Sequence, residues 1–260
     1  MYRCQTTSLE GFVQQLVCYV ASGYRYFVVG SIPEQKSPDR VDRNVIEKYG
    51  IALSKYQRAR RKQKGLANTQ YLRFRNFFVL IATPPAGGHE FYRAEAQAIR
   101  DIRKQPIRCG GYAISCRQDG SPARDGIQRW RAHVRIDREP FLDLKAGFLE
   151  ASTRRSRREL ELMLSEVPYE PYAPVRRQLL EILRAMNIRR DGADLQPLRS
   201  RCLRYRRKPV LPFGSDESGQ CQPVILATVT LLGLLLVAWH VEGARFVMAV
   251  LVVYLLLRER

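Results

Sequence analysis

The end of the chain constrains it most. From Pro223 to Arg260 it reads PVILATVTLLGLLLVAWHVEGARFVMAVLVVYLLLRER. Val224–Trp239 is sixteen residues without a charge, and Val241 brings the apolar stretch close to the ~20 residues that span ~30 Å of hydrocarbon. A polar knot follows, His240, Glu242, Gly243 and Arg245, and then twelve more apolar residues, Phe246–Leu257. That second run is short for a span unless Arg245 snorkels to the interface. Trp239 and Tyr254 sit near the ends of these runs, where interfacial aromatics belong. Upstream, RSRCLRYRRKP (Arg199–Pro209) is dense in arginine, and RER closes the chain. Basic flanks favour the inner side, so a transmembrane hairpin over 223–257 is expected, with both ends inside. One span with an interfacial second helix is the first alternative; two buried helices in a soluble core is the second. The opening MYRCQTTSLEGFVQQLVCYV is too polar for a secretory signal. The expected location is therefore the membrane, with the N-terminal domain cytoplasmic.

The rest of the chain is strongly basic. Lys and Arg number 44 against 25 Asp and Glu, a net +19. The charges from Pro223 onward (Glu242, Arg245, Arg258, Glu259, Arg260) net +1, which leaves +18 on residues 1–222. A field of that sign attracts phosphates, on nucleic acid or on anionic lipid headgroups. Arginine outnumbers lysine 36 to 8. The planar fork of arginine suits bidentate phosphate contacts, although a GC-rich genome also inflates arginine. Six cysteines (4, 18, 109, 116, 202, 221) form no C-x-x-C pair, and no histidine stands at zinc-finger spacing from them. Reduced thiols and no metal site are expected.

Periodicity predicts a mixed α+β chain. Thr7 and Glu10 fit a capping box ahead of Leu9, Phe12, Val13, Leu16, Val17 and Val20, with Gly23 placed to end the helix. YRYFVVGSIPE reads as a strand, Val41–Lys64 as a helix broken at Gly50, and NTQYLRF and FFVLIAT as two strands around a tight turn at Arg75–Asn76. HEFYRAEAQAIRDIR from His89 reads as a helix, and GYAISCRQ and RWRAHVRID as strands. Up to GYAISCRQ the order is β-α-β-β-α-β, a ferredoxin-like split unit, to which RWRAHVRID adds a strand. Helices fill the remainder: Phe141 to Leu149 share a face, Ser156 and Glu159 make a capping box, and Pro174 opens a helix carrying Val175, Leu179, Ile182, Leu183 and Met186. The expected division is a basic α+β domain at 1–138, a helical extension at 139–190, an Arg-rich juxtamembrane linker at 191–222 and membrane segments at 223–257.

In outline this order resembles two nucleic-acid families. In the RNA-recognition module, central strands carry exposed aromatics that stack on bases. YLRFRNFFVLIA has that aromatic-basic mixture without the family's glycine-containing pattern. The HUH superfamily of rolling-circle initiators and relaxases builds a similar fold around a tyrosine nucleophile and a metal held by paired histidines. Here the resemblance covers 24–137 in outline, and FFVLIAT stands where the histidine pair belongs. It therefore implies at most a relative without that metal site. GIALSKYQRARRK, GGYAISCR and EPYAPVRRQLLEILRAMN also resemble a bacterial family of basic proteins, a likeness that implies no activity.

Three groups of residues are candidates for phosphate binding. Arg58, Arg61 and Lys62 share a helical face in KYQRARRKQKG. Tyr71, Arg73 and Arg75 lie on the strand face opposite Leu72 and Phe74, a surface able to stack and clamp a single strand. Arg154 and Arg155 stand at a helix start, where the dipole disfavours cations and an anionic partner offsets the cost. Arg204, Arg206, Arg207 and Lys208, with Trp239 and Tyr254, are assigned instead to the membrane interface and its anionic headgroups. For catalysis only His89-Glu90 with Tyr92, and His133 with Asp137, come near, and neither has a nucleophile or metal set; PPAGGHE lacks the lysine of a P-loop. No catalytic residue, metal or cofactor is expected. The leading expectation is a membrane-tethered protein that binds nucleic acid, single-stranded by preference, without catalysis. A membrane scaffold with no nucleic-acid partner ranks second, and a degenerate HUH-type nuclease third.

Overall fold

The computed structural model describes residues 2–85, 89–118, 130–207 and 209–214. The expected membrane hairpin, with Trp239 and Tyr254, lies outside them, as does Lys208. Among the described residues no helix is long and apolar enough to cross a membrane.

The fold is mixed α+β, with two antiparallel sheets. Helix α1 (Leu9–Ala21) leads to strand β1 (Tyr26–Ser31), then α2 (Pro38–Lys48) and α3 (Lys55–Gln63). Strands β2 (Thr69–Phe74) and β3 (Phe77–Ala82) form a hairpin around Arg75–Asn76, and α4 (Glu90–Ala94) precedes the two-residue β4 (Arg100–Asp101). These four strands make the first sheet, in the order β2-β3-β1-β4. Strands β5 (Ile107–Cys109), β6 (Tyr112–Gln118) and β7 (Trp130–Ile136) make the second, in that order. Helices α5 (Arg138–Ala151), α6 (Arg157–Ser165) and α7 (Ala173–Asp191) follow, then a short 3-10 turn at Ser200–Cys202.

Period-2 alternation sends the two faces of the first sheet into different cores. Phe27, Leu72, Val79 and Ile81 pack with Phe12, Val13, Leu16 and Val20 of α1. Tyr71, Leu80 and Ala82 pack on the other face with Cys4, with Tyr49 and Ile51 after α2, and with Phe91 of α4. The first core is the larger. It also takes Tyr112, Ile114, Cys116, Val134 and Ile136 from the second sheet, and Phe148, Leu160, Val175, Ile182 and Met186 from α5, α6 and α7. Residues 1–138 and 139–190 therefore share one core and are not separate domains.

Four expectations need correction. GYAISCRQ is not the fourth strand of the first sheet; it is β6, the centre of the second. The helix expected from His89 stops at Ala94. Ile99 packs against the smaller core and Ile102 is buried in the larger, and residues three apart reach opposite sides of a sheet only in extended chain. The N-cap of α1 is Ser8, whose Oγ accepts from the Gly11 N–H at 3.0 Å. Thr7 is held elsewhere, its N–H donating to the Pro212 carbonyl at 3.0 Å. That bond belongs to the fourth correction: residues 191–214 are not a linker. Leu198 and Leu203 are buried in the large core, and the Gln14 side chain donates to the Val210 carbonyl at 3.1 Å.

Candidate nucleic-acid interface

The three predicted phosphate-binding groups do not come together as one surface. Helix α3 has five basic residues, no acidic one and no buried side chain. A capping box between Ser54 and Gln57 starts it. Arg58 donates to the Leu53 carbonyl and Arg61 to that of Ala67, at 2.8 Å from Nη2. Both guanidinium groups thus fasten the helix to its flanking loops. Lys62, together with Lys55 and Arg60, is exposed. Tyr56, 80% exposed, stands beside them.

Tyr71 and Arg73 are buried, so neither offers its ring or fork to a ligand. The alternation of β2 is as expected, but α2 and α4 cover the face that carries them. There Asp42 of α2 is the hub. It accepts from the Tyr71 hydroxyl at 2.7 Å, from Arg73 Nε at 2.9 Å and from the Cys4 thiol at 3.3 Å. Burial first, then Asp42, pushes the Tyr71 hydroxyl and the Cys4 thiol up, the latter to about 12. Both groups stay protonated and serve as donors. Arg75 is exposed at the hairpin tip, with φ +53° and its guanidinium 5.4 Å from the Phe74 ring. The opposite face of the sheet, where RNA-recognition modules stack bases, lies beneath α1: Phe12 meets Phe77 at 5.9 Å and Phe74 at 6.3 Å between ring centres.

Arg154 and Arg155 lie in the turn between α5 and α6. Arg154 pairs with Glu150 at 2.8 Å, and the carbonyl of Arg155 accepts from Arg190 at 3.2 Å. The charges of Arg154 and Arg157 at this helix start are thus offset within the fold, Arg157 pairing with Glu161 at 2.9 Å, while Arg155 is exposed. Of the group assigned to headgroups, Arg204 donates to the carbonyls of Val167 and Tyr169, each at 2.8 Å, and Arg207 lies 4.5 Å from the Tyr172 ring centre. Arg206 is exposed. His89 caps α4, its Nδ1 accepting from the Phe91 N–H at 3.2 Å, and burial and Arg61 lower its pKa.

A further cationic surface is one that no basic run in the sequence marks. On the second sheet, Arg131, His133 and Arg135 of β7 stand opposite Arg117, Ser115 and Ala113 of β6, and Arg108 of β5 stands opposite Ala113. Directly opposed residues share a face, and the other face is the one in the core. The outer face therefore gathers four arginines and a histidine. Arg108 reaches Asp137 at 3.3 Å. Arg117 and Arg131 stand directly opposite each other in register. The signal was present as R-x-H-x-R in RWRAHVRID, period-2 charge on an otherwise apolar strand. At the start of the same strand Trp130 lies 5.5 Å from the guanidinium of Arg103, which also faces Tyr26 at 5.8 Å and is held by Asp101.

Past the end of this face the start of α7 crosses the edge of β7. Gln178 accepts from the Ile136 N–H at 2.8 Å and donates to its carbonyl at 3.0 Å, closing that edge. Between the two elements lies a cavity of about 340 Å³, lined by His133, Arg135, Arg138, Phe141, Arg177 and Glu181 among others. Burial lowers the pKa of His133, and Arg117, Arg135 and Arg177 lower it further. Its Nδ1 is buried with no hydrogen-bond partner among the described residues. Glu181 is engaged by Lys145 at 2.7 Å. Among the described residues no three potential metal-ligating side chains converge, and the described cysteines form no disulfide. No protein-family model, no curated protein and no solved structure matches the chain.

Proposed function

We propose that this protein binds nucleic acid, single-stranded by preference, without catalysing a reaction on it. The observation that carries the reading is the outer face of the second sheet. Four arginines and a histidine share it, two of the arginines opposed in register. Neutralising phosphate charge there releases condensed counterions. Helix α3 supports the same reading, with Lys55, Arg60, Lys62 and Tyr56 exposed and no acidic residue among them.

We read the first sheet as a ferredoxin-like split unit: strand order β2-β3-β1-β4, with α2 and α4 on one face and the fourth strand reduced to two residues. Its usual ligand-stacking face being covered by α1, the burden of binding falls on the second sheet and on α3. Attachment to the membrane through 223–257, with the basic unit on the cytoplasmic side and its arginines near anionic headgroups, remains part of the proposal and rests on the sequence. The rival, a scaffold whose basic residues serve only headgroup contact, draws less support. Arg204 is engaged inside the fold and Arg207 lies against the Tyr172 ring, although Arg206 and Arg207 are both exposed.

The test is fluorescence anisotropy of the full-length protein, in non-ionic detergent, with labelled single-stranded DNA, RNA and duplex across a salt series. Binding at micromolar concentration or tighter is expected, with log affinity falling by roughly 0.7 per contacted phosphate for each tenfold rise in salt. Arg60→Glu with Lys62→Glu is expected to flatten that slope. Absence of binding at low salt would sink the reading.

A further inference from the structure

Resting on that reading, we infer that the cavity between β7 and the start of α7 receives a terminal phosphate of the bound strand, and that the protein therefore prefers a phosphorylated end. Three arginines face this cavity from three elements: Arg135 from β7, Arg138 from α5 and Arg177 from α7. None of them pairs with a carboxylate or donates a side-chain hydrogen bond among the described residues. Several arginines elsewhere are committed within the fold. Arg58, Arg61, Arg190 and Arg204 are committed to backbone carbonyls, and Arg73, Arg103, Arg154 and Arg157 to carboxylates. What sets these three apart is that their uncommitted forks converge on one cavity.

Two further features identify the ligand chemistry. The His133 Nδ1, buried without a partner, lacks the hydrogen bond that such a group ordinarily makes. An anion in the cavity favours the protonated imidazole, which arginines on three sides otherwise disfavour. The carboxylate at the mouth, Glu181, is already neutralised by Lys145, so it does not reverse the field. The volume, about 340 Å³, lies at the small end of the roughly 300–1,000 Å³ of ligand pockets. That suits a phosphate with its sugar better than a folded macromolecular surface. A terminal monoester carries about −1.5 to −2 charge and three acceptor oxygens, against one charge on an internal diester. Convergent guanidinium forks distinguish the two.

The experiment compares one single-stranded oligonucleotide with a 5′-phosphate, a 3′-phosphate or hydroxyl ends, bound by full-length protein at fixed salt. The phosphorylated form at one end is expected to bind about tenfold tighter than the hydroxyl form, a difference of ~1.4 kcal/mol. In the Arg138→Gln/Arg177→Gln variant, whose lost groups bond nothing in the fold and lie off the sheet face, that preference should vanish. Most affinity for the hydroxyl form should remain. Arg177→Gln alone should reduce the preference part-way, and matching melting curves for all three proteins exclude misfolding. Inorganic phosphate, a nucleoside monophosphate and glycerol 3-phosphate serve as competitors. Stronger competition by the nucleotide supports a nucleic-acid end, whereas equal competition by glycerol 3-phosphate overturns that assignment. Equal binding of all three oligonucleotides overturns the end preference and leaves nucleic-acid binding standing. If no oligonucleotide binds, yet inorganic phosphate binds the wild type and not the variant, nucleic acid is the wrong ligand for both surface and cavity.

Discussion

Replacing Asp42 by alanine probes the most connected polar group in the smaller core. Asp42 and Arg73 are 8% and 4% exposed at their side chains and lie 2.8 Å apart. Removing the carboxylate strands a buried guanidinium and leaves the Tyr71 hydroxyl and the Cys4 thiol without their acceptor. Breaking a buried pair from one side costs about 3–5 kcal/mol. Two features set the value at the lower end. Asp39, 83% exposed, already stands 3.5 Å from Arg73 Nη2 and is free to close on it. Arg73 also keeps its bonds to the Arg75 carbonyl and to Gln5, at 2.9 and 3.1 Å. A loss of about 3 kcal/mol is expected, which for a folded unit of this size lowers Tm by roughly 6–12 °C. Circular dichroism of the full-length protein during heating and in urea measures it. Removing both partners, as Asp42→Leu with Arg73→Met, should cost less than Asp42→Leu alone, because no charge is then left buried. A loss below about 1 kcal/mol for Asp42→Ala, or a double variant as unstable as the sum of its parts, would refute the claim that a desolvated charge holds α2 to the sheet.

Three other outcomes are expected. The Cys4 thiol is raised from about 9 to about 12 in the fold, so above pH 9 the unfolded chain has released a proton that the folded chain retains; stability should fall as pH rises from about 9 to 12, and less steeply in Cys4→Ala, as read from urea midpoints against pH. Gly111 has φ +78° in the β5–β6 turn, and an added Cβ would lie 2.5 Å from the Tyr169 hydroxyl; Gly111→Ala should cost about 2 kcal/mol or more, measured by the same unfolding curves. Arg190, 3% exposed, donates to the carbonyls of Gln196, Ser152 and Arg155 at 2.7, 2.7 and 3.2 Å; a single ammonium does not span that fork, so Arg190→Lys should lower stability by about 2 kcal/mol and raise protease cleavage near residues 192–198.

Where local chemistry decides structure, the sequence could be read directly. The Ser156–Glu159 capping box, Pro174 at the start of α7 and the Arg75–Asn76 hairpin are each determined within a few residues, and each stands where its residues predict. Failures occur where a distant segment decides. Thr7 resembles an N-cap until Pro212 takes its N–H. Residues 95–98 have helix-forming alanines and still turn, yet Ile99 and Ile102, bound for opposite cores, hold the chain extended between them. Tyr71 and Arg73 alternate as expected with Leu72; what no local pattern reveals is that α2 brings a carboxylate to meet them. The candidate surface was legible in principle, since charge at period 2 in RWRAHVRID marks a strand with one solvated face. Runs such as KYQRARRKQKG hold more charge per residue, but two of the arginines singled out there are anchors for backbone carbonyls.

The distinction between committed and uncommitted arginines also bears on the excess of arginine over lysine. Codon bias would scatter it without regard to geometry. Here Arg61, Arg190 and Arg204 each use the planar fork to gather carbonyl groups at loops and helix ends, a task the lysine ammonium performs poorly. Part of the chain's positive charge is therefore structural, buried or half-buried against carbonyls, and contributes to the long-range field without being able to touch a ligand. Net charge alone overstates the binding surface. The contacts must come from arginines that the fold leaves uncommitted. Among the described residues Arg117 and Arg135 of the second sheet and Arg138 and Arg177 beside the cavity are of this kind, and so is Arg60 of α3, which is why the proposed contacts are assigned to these two places.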